Sequence, residues 1–151
     1  MSKIEPVRTS YLNPDFVSLV EMLDIYLAEV DGEDHSFYSQ YNGIENIQNV
    51  VVAYKDNVPA GCGAIKLYST GSAEVKRMYV KPAMRGLGIA AAVLKELEHW
   101  AAELGYTSCI LETGKKQTEA IGLYRKAGYE VIPNYGQYAG IENSICMEKK
   151  L

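Results

Sequence analysis

A glycine-rich segment between a predicted strand and a predicted helix carries the clearest chemical signal in this sequence. Arg85 is followed by the run Gly86–Ala90 (GLGIA). Glycines at such a junction let the backbone approach a ligand and point its free N–H groups outward. The first turn of the following helix adds about half a positive charge, and Arg85 adds a side chain suited to anions. The segment therefore predicts a site for phosphate oxygens.

Two other interpretations of the same glycines are open. The run Gly86–Ala91 also satisfies the dinucleotide-binding pattern G-x-G-x-x-A, and Glu112 follows the next strand, near where a ribose-binding acid lies in that fold. A glycine turn that only packs a helix on a strand is the simpler alternative. Residues 81–85 separate the strand from the first glycine, and the chain opens with a helix and a meander. Both features disfavour the dinucleotide fold.

The elements that must position this segment alternate between strands and helices. A helix is predicted from Pro14, with Asn13 as its N-cap, until it fades at Asp31. Two more helices are predicted over Gly86–Leu104 and Gln117–Ala127. Residues 35–47 are predicted to form a loop with a helical turn. The predicted strands are Ile4–Thr9, Asn49–Tyr54, Val58–Tyr68, Ala73–Val80, Thr107–Leu111, Tyr129–Ile132 and Ser144–Glu148.

This order of elements predicts a mixed α+β chain. The three strands between residues 49 and 80 form a meander, which implies antiparallel pairing. The long helix then connects the strand ending at Val80 to the strand starting at Thr107. Such a crossover predicts that these two strands are parallel neighbours. We expect a twisted, mostly antiparallel sheet with one parallel pair, in a single domain over residues 1–151.

The composition restricts the class of partner. The chain has 151 residues and a net charge of −4, which argues against a sequence-independent nucleic-acid binder. No apolar stretch approaches the roughly 20 residues of a membrane span, and the N-terminal segment lacks the apolar core of a signal peptide. We therefore expect a cytoplasmic protein without nucleic-acid or membrane partners. Cys62, Cys109 and Cys146 lie in apolar runs without metal-ligand spacing, which predicts buried thiols and no metal site.

Two segments resemble motifs of one enzyme superfamily. The stretch Glu74–Ala90 (EVKRMYVKPAMRGLGIA) looks like the acetyl-CoA-binding motif of the GNAT superfamily, whose signature Q/R-x-x-G-x-G/A is matched by Arg85, Gly88 and Ala90. The stretch Ala120–Tyr129 (AIGLYRKAGY) resembles the A-x-x-L-Y-x-K-x-G-F/Y helix of the same family. The resemblance implies the acyl-CoA N-acyltransferase fold, with helices on both faces of the sheet. It also implies acetyl-CoA as the co-substrate.

The resemblance assigns residues to the binding of acetyl-CoA. In the family, backbone groups at the end of the fourth strand pair with the pantetheine arm, which here implies Met78, Tyr79 and Val80. The arm is expected to enter where two parallel strands part, those ending at Val80 and Leu111. Gln117 stands where many members carry an asparagine that contacts the pantetheine. Pyrophosphate contacts are implied for Arg85, Gly86, Leu87, Gly88, Ile89 and Ala90.

Acetyl transfer to an amine needs a base, a proton donor and positioning, because an alkylammonium with a pKa of about 10.4 is protonated at neutral pH. By resemblance, Glu74 is the candidate base; the alternative is an ion pair with Lys76 or Arg77. Glu112 competes for this role or orients the amine. Tyr124 matches the family tyrosine near the thioester sulfur and is the candidate acid. The alternative for Tyr124 is an aromatic core residue.

Further residues have less specific roles. His35 could line the acceptor pocket, whereas His99 is expected to be solvated on a long helix. Arg77 could bind an acceptor carboxylate or form a structural ion pair. Four tyrosines either wall an acceptor pocket or lie at the surface, and both interpretations are open: Tyr38, Tyr41, Tyr135 and Tyr138.

The function expected from this resemblance is transfer of an acetyl group from acetyl-CoA to a primary amine of a small molecule, by direct attack of the amine on the thioester. A protein or peptide N-acetyltransferase and a non-catalytic acyl-CoA-binding module are the alternatives. A homodimer is compatible with each of them.

Overall fold

A computed structural model describes residues 3–32 and 47–151 of the chain. Within them lie seven strands: β1 (Ile4–Thr9), β2 (Asn49–Lys55), β3 (Val58–Ser69), β4 (Ser72–Val80), β5 (Ser108–Gly114), β6 (Glu130–Ile132) and β7 (Ser144–Lys150). The α-helices of this part of the chain are α1 (Pro14–Asp31), α2 (Ile89–Glu103) and α3 (Thr118–Lys126). Two short 3-10 turns, Pro82–Met84 and Gly136–Tyr138, precede α2 and β7. None of the described helices is both long and apolar enough to cross a lipid bilayer.

The strands form one sheet in the order β1-β2-β3-β4-β5-β7-β6. Strands β2, β3 and β4 pair as an antiparallel meander, and β4 pairs with β5 in parallel across the α2 crossover. The remaining described pairs are antiparallel. The predicted fold class, a mostly antiparallel sheet with one parallel pair, is therefore confirmed.

Helices cover both faces of the sheet. Along β2, alternate side chains point to opposite faces, so Val51 packs in the cluster beneath α2, whereas Val50 and Val52 pack beneath α1. The α2 residues that pack in the same cluster as Val51 are Val93, Leu94, Leu97 and Ala101. From α1, the opposite cluster takes Phe16, Leu19, Val20 and Leu23. Helix α3 lies on the same side as α2, because its Tyr124 belongs to the α2 cluster.

The start of α1 agrees with the sequence. The Asn13 side chain caps the helix by accepting hydrogen bonds from the backbone N–H groups of Asp15 at 2.8 Å and Phe16 at 3.1 Å. Pro14 occupies the first turn, where a missing N–H costs nothing. The helix ends before Gly32, which has a φ of +55°.

Helix α2 begins later than the sequence predicts. The helix was expected from Gly86 but begins at Ile89. Gly86 and Gly88 have φ angles of +76° and +84°, which are incompatible with a right-handed helix. These residues instead form the loop that leads into the first helical turn. At the other end the expected stop holds, since Gly105 follows α2 with a φ of +95°.

Candidate active site

The parallel pair at the centre of the sheet is short. β4 and β5 pair only at Ser72–Glu74 and Ser108–Ile110. Beyond Glu74, from Val75 to Val80, β4 pairs with β3 alone among the described strands. β5 continues to Gly114, three residues past its predicted end at Leu111, and stays paired with β7. The two strands therefore part, and a gap opens in the middle of the sheet.

A β-bulge in β4 accompanies this parting. The register runs from Ala64–Lys76 to Cys62–Tyr79, so that Arg77 and Met78 together lie opposite Gly63. Arg77 has a φ of +58°, a conformation that non-glycine residues adopt only when their surroundings enforce it. Bulges bend a strand and redirect its side chains.

Gly63 provides the space that this bulge needs. A Cβ at this position would lie 2.5 Å from the Met78 sulfur and 2.9 Å from Cδ1 of Leu97. A side chain at this position would therefore force these neighbours to shift.

A cleft of about 710 Å³, including the solvent at its mouth, follows the gap between the parted strands. The cleft brings together several residues singled out from the sequence, although they come from different elements. They are Glu74, Arg77, Met78, Glu112, Gln117, Tyr124 and Tyr138.

The glycine loop forms a second part of the site. A Cβ built on Gly86 or Gly88 would meet no described atom within 4 Å, apart from its chain neighbours. Glycine is thus required here by the positive φ and not by packing. The first helical hydrogen bond runs from Ala92 to the Gly88 carbonyl at 3.0 Å, so the N–H groups of residues 89–91 have no helical acceptor. Ile89 is buried and fixes the turn, whereas Leu87 is exposed.

Arg85 contacts its own loop. Its Nε donates to the Val80 carbonyl at 3.2 Å, and its guanidinium lies 5.6 Å from the ring centre of Tyr26 and 5.9 Å from that of Tyr79. The Tyr79 side chain is buried in the α1 cluster, so it is turned away from the cleft that Met78 lines. A contact between Arg85 and a phosphate stays a prediction.

Glu74 is a buried carboxylate with two partners. It is 5% exposed, and its Oε2 accepts a hydrogen bond of 2.7 Å from the Tyr135 hydroxyl. Its Oε1 lies 3.9 Å from Nζ of Lys76. The ion pair considered from the sequence is therefore present, and it is compatible with a second role because Glu74 also lines the cleft.

Arg77, a second charged residue of the cleft, forms an ion pair with α1. Its guanidinium, with only 2% of the side chain exposed, pairs with the carboxylate of Asp24 on α1. The structural alternative predicted for Arg77 is thus present, with Asp24 as a partner that the sequence did not identify. The Arg77 Nε is buried and has no hydrogen-bond partner among the described residues.

Aromatic rings wall the cleft beside Glu74. Tyr138 is buried and lines the cleft, and its ring packs edge-on against Tyr135 at 5.8 Å. Tyr135 in turn packs against Tyr68 at 4.9 Å. Tyr138 therefore lines the cleft, as the pocket-wall interpretation predicts, whereas Tyr135 contacts Tyr138 and Glu74 without being a lining residue. Tyr68, at the end of β3, was missed because an exposed tyrosine at a strand end carries no distinguishing signal.

Tyr124 reaches the cleft from α3. It is 6% exposed, and its ring packs edge-on against Tyr129 at 5.9 Å. Burial raises the pKa of the Tyr124 hydroxyl well above 10.0, and the charge of Glu112 adds to the effect. The phenol is therefore protonated at neutral pH and is available as a donor.

The remaining predicted residues fall into four groups. Gln117 is the N-cap residue of α3 and lines the cleft, together with Glu112 of β5. His99 is exposed, as predicted. Cys62, Cys109 and Cys146 are free and buried, as predicted. His35, Tyr38 and Tyr41 lie outside the described residues.

A twisted sheet whose parallel pair parts beside a glycine loop defines an acyl-CoA N-acyltransferase fold, and the cleft places a carboxylate and a phenol at the parting. The profile of the "Acetyltransferase (GNAT) family" matches residues 16–129. The chain belongs to this family, as the two sequence motifs indicated. It is an acyltransferase, and its class of reaction is acetyl-CoA-dependent acyl transfer.

Individual relatives agree with this assignment. An "IAA acetyltransferase" from Azospirillum brasilense is 33% identical, with both chains covered in full. A Klebsiella pneumoniae structure described as an acyl-CoA N-acyltransferase is 28% identical, with a TM-score of 0.81 over 100% of this chain and 98% of the other. The PaiA N-acetyltransferase of Thermoplasma acidophilum, solved with coenzyme A, shares the fold at 22% identity, with a TM-score of 0.72 over 99% of each chain.

Proposed function

We propose that this protein transfers an acetyl group from acetyl-CoA to a primary amine of a small molecule, by direct attack of the amine on the thioester. One observation carries the proposal. The cleft at the parting of β4 and β5 contains both the buried carboxylate of Glu74 and the buried phenol of Tyr124. These groups meet the two proton-transfer requirements of the reaction.

The chain offers two sets of backbone groups to acetyl-CoA. The edge of β4 from Met78 to Val80 lacks a β5 partner, and such an edge can pair with the amides of the pantetheine arm. The N–H groups of the first helical turn, residues 89–91, have no helical acceptor and, with the glycine loop before them, suit the pyrophosphate. Gln117 also lines the cleft.

Glu74 and Tyr124 have complementary roles in the reaction. Glu74, held by Tyr135 and Lys76, accepts the proton of the acceptor ammonium directly or through water. Tyr124 keeps its proton at neutral pH because burial raises its pKa. Its hydroxyl then donates to the sulfur as negative charge develops there. Acetyl-CoA supplies the activated acetyl group.

The walls of the acceptor end support a small substrate. Tyr138 lies on one side of the cleft, and Leu23 and Leu27 of α1 also line it. Charged groups of both signs, among them Glu112 and Arg77, line the same cleft. A compact amine with polar substituents fits these surroundings better than an extended peptide.

Thiol release from acetyl-CoA over a panel of amines, amino acids, amino-sugars and peptides tests the proposal. We expect turnover of one small-molecule class, with kcat reduced at least about tenfold by Tyr124→Phe and by Glu74→Gln. His99→Gln, at an exposed position, is the matched control and should keep full activity. CoA binding with turnover of peptides alone would reject the small-molecule acceptor. A failure to bind CoA would reject the function as a whole.

A further inference from the structure

Lys76 is the unusual residue of the cleft. It follows Glu74 on β4, lines the cleft, and its side chain is only 9% exposed. Lysine is rarely buried to this extent, because removing its charge from water is costly. The proposed mechanism uses Lys76 only as a partner of Glu74, although its chemical group is the same primary amine that the reaction consumes.

The position of the Lys76 amine resembles that expected of an acceptor. Its Nζ lies 3.9 Å from Oε1 of Glu74, the group proposed to take the acceptor's proton. The second oxygen of Glu74 is held by Tyr135, so the carboxylate is fixed with one oxygen toward Lys76. Tyr124, the proposed donor to the thioester sulfur, lines the same cleft.

The surroundings also favour the neutral form of this amine more than water does. Burial lowers the pKa of Lys76, and the charges of Lys66 and Arg77 act in the same direction. Glu74 and Glu112 oppose the shift but do not reverse it. An unprotonated amine is the nucleophilic form.

We propose that Lys76 is a self-acetylation site, modified by the acetyl-CoA bound to the same chain when no acceptor fills the cleft. This inference rests on the proposed function. The Lys76 ammonium first gives one proton to Glu74. Nζ then forms a bond to the acetyl carbonyl carbon, and the carbon–sulfur bond breaks. CoA leaves as the thiol after taking a proton from Tyr124, and the second amine proton returns the phenol to its neutral form through the cleft water.

Acetylation of Lys76 would change the site in two ways. It removes the positive charge beside Glu74, and it adds an acetyl group to the cleft proposed to take the acceptor. The modified enzyme is therefore expected to turn over its acceptor more slowly. A saturating acceptor should protect Lys76, because both amines compete for the same carboxylate.

The experiment is to incubate the full-length protein with acetyl-CoA, without acceptor, and to follow acetylation of each lysine by peptide mass spectrometry. Lys95 is exposed on α2 and is the internal control, since uncatalysed acetylation by acetyl-CoA favours accessible amines. We expect Lys76 to react at least about tenfold faster than Lys95, and Glu74→Gln to remove this advantage. Circular dichroism of Glu74→Gln verifies that the variant is folded.

The outcomes separate this inference from the function on which it rests. Acetylation of Lys76 no faster than Lys95, in a protein that turns over amines, overturns the inference and leaves the function standing. Calorimetry that detects no CoA binding rejects both. Selective loss of Lys76 acetylation in the presence of an excess of CoA, which competes for the donor site, supports the inference.

Discussion

The hydroxyl of Tyr135 donates a hydrogen bond of 2.7 Å to Oε2 of Glu74. The two residues are 61 positions apart in the chain and lie on different elements, the loop before β7 and strand β4. The bond fixes the rotamer of the carboxylate. The proposed base is thus positioned by a loop that also supplies the wall of the acceptor site.

Replacing Tyr135 with Phe removes this hydrogen bond and keeps the ring. We expect kcat/KM to fall roughly tenfold, corresponding to about 1.4 kcal/mol for a hydrogen bond to a charged group. Tyr68→Phe is the control, since Tyr68 packs on the same ring without a described bond to Glu74. Equal losses in the two variants would contradict the positioning role.

The bulge in β4 makes Gly63 sensitive to substitution. Gly63→Ala would place a Cβ 2.5 Å from the Met78 sulfur, and we expect the free energy of unfolding to fall by about 1–3 kcal/mol, as for other overpacked cores. Gly122→Ala is the matched control, because no described atom lies within 4 Å of its Cβ. In the middle of α3 it should raise stability by about 0.5–1 kcal/mol. Urea denaturation measures the change in the free energy of unfolding for both variants. A Gly63→Ala variant as stable as the wild type would disprove the packing argument.

The glycine loop gives a prediction for CoA affinity. Gly88→Ala forces an alanine to a φ of +84°, which costs roughly 1–2 kcal/mol and displaces the N–H groups proposed to hold the pyrophosphate. We expect the Kd for CoA to rise about tenfold by calorimetry. Gly105→Ala carries a similar backbone strain, at a φ of +95°, at the opposite end of α2. It should lose stability but keep its CoA affinity; a parallel loss of affinity would remove the loop from the binding site.

The buried thiols predict a decline of stability at alkaline pH. Burial raises the pKa of Cys62 from 9.0 to about 12, with a small opposing effect from Arg77. The unfolded thiol therefore loses its proton at lower pH than the folded one, so the free energy of unfolding falls as the pH rises from about 9 toward 12.

Cys62→Ala tests this linkage. The variant removes the contribution of one thiol, so its stability should decline less between about pH 8 and about pH 11 than that of the wild type. Lost packing also lowers the stability of the variant, but by the same amount at both pH values. It therefore does not affect the difference in stability between the two pH values, which is the quantity compared. Chemical denaturation at both pH values provides the measurement, and equal declines would argue against the shift at Cys62.

Local sequence patterns were sufficient for the elements and their order. The β-branched run in β2 and the Asn13-Pro14 cap are decided by residues close in the chain, and both are present in the structure. The parallel pairing of β4 with β5 followed from the handedness of the crossover. These features depend on backbone propensity and chain connectivity, which a single sequence contains.

The details of the site depend on packing between distant residues. The run AEVKRMYV predicts a regular strand, yet Arg77 adopts a positive φ because Gly63 on the neighbouring strand admits Met78. The start of α2 was placed three residues early because helical periodicity does not register positive φ at glycine. The hydrogen bond between Tyr135 and Glu74 and the ion pair between Arg77 and Asp24 join residues that are far apart in the chain. Local sequence patterns contain no information about such contacts.

The unpaired edge of β4 from Val75 to Val80 has a consequence for the energetics of the whole protein. A co-substrate that pairs with this edge would complete the sheet, and because it binds the folded chain, its binding would raise the free energy of unfolding. At a CoA concentration of 100 times Kd, this linkage amounts to about 2.7 kcal/mol. The amide protons of β4 that face the gap should exchange with deuterium quickly in the free protein and slowly in the complex. Slow exchange in the complex would show that the bound co-substrate takes the place of a neighbouring strand along this edge of β4.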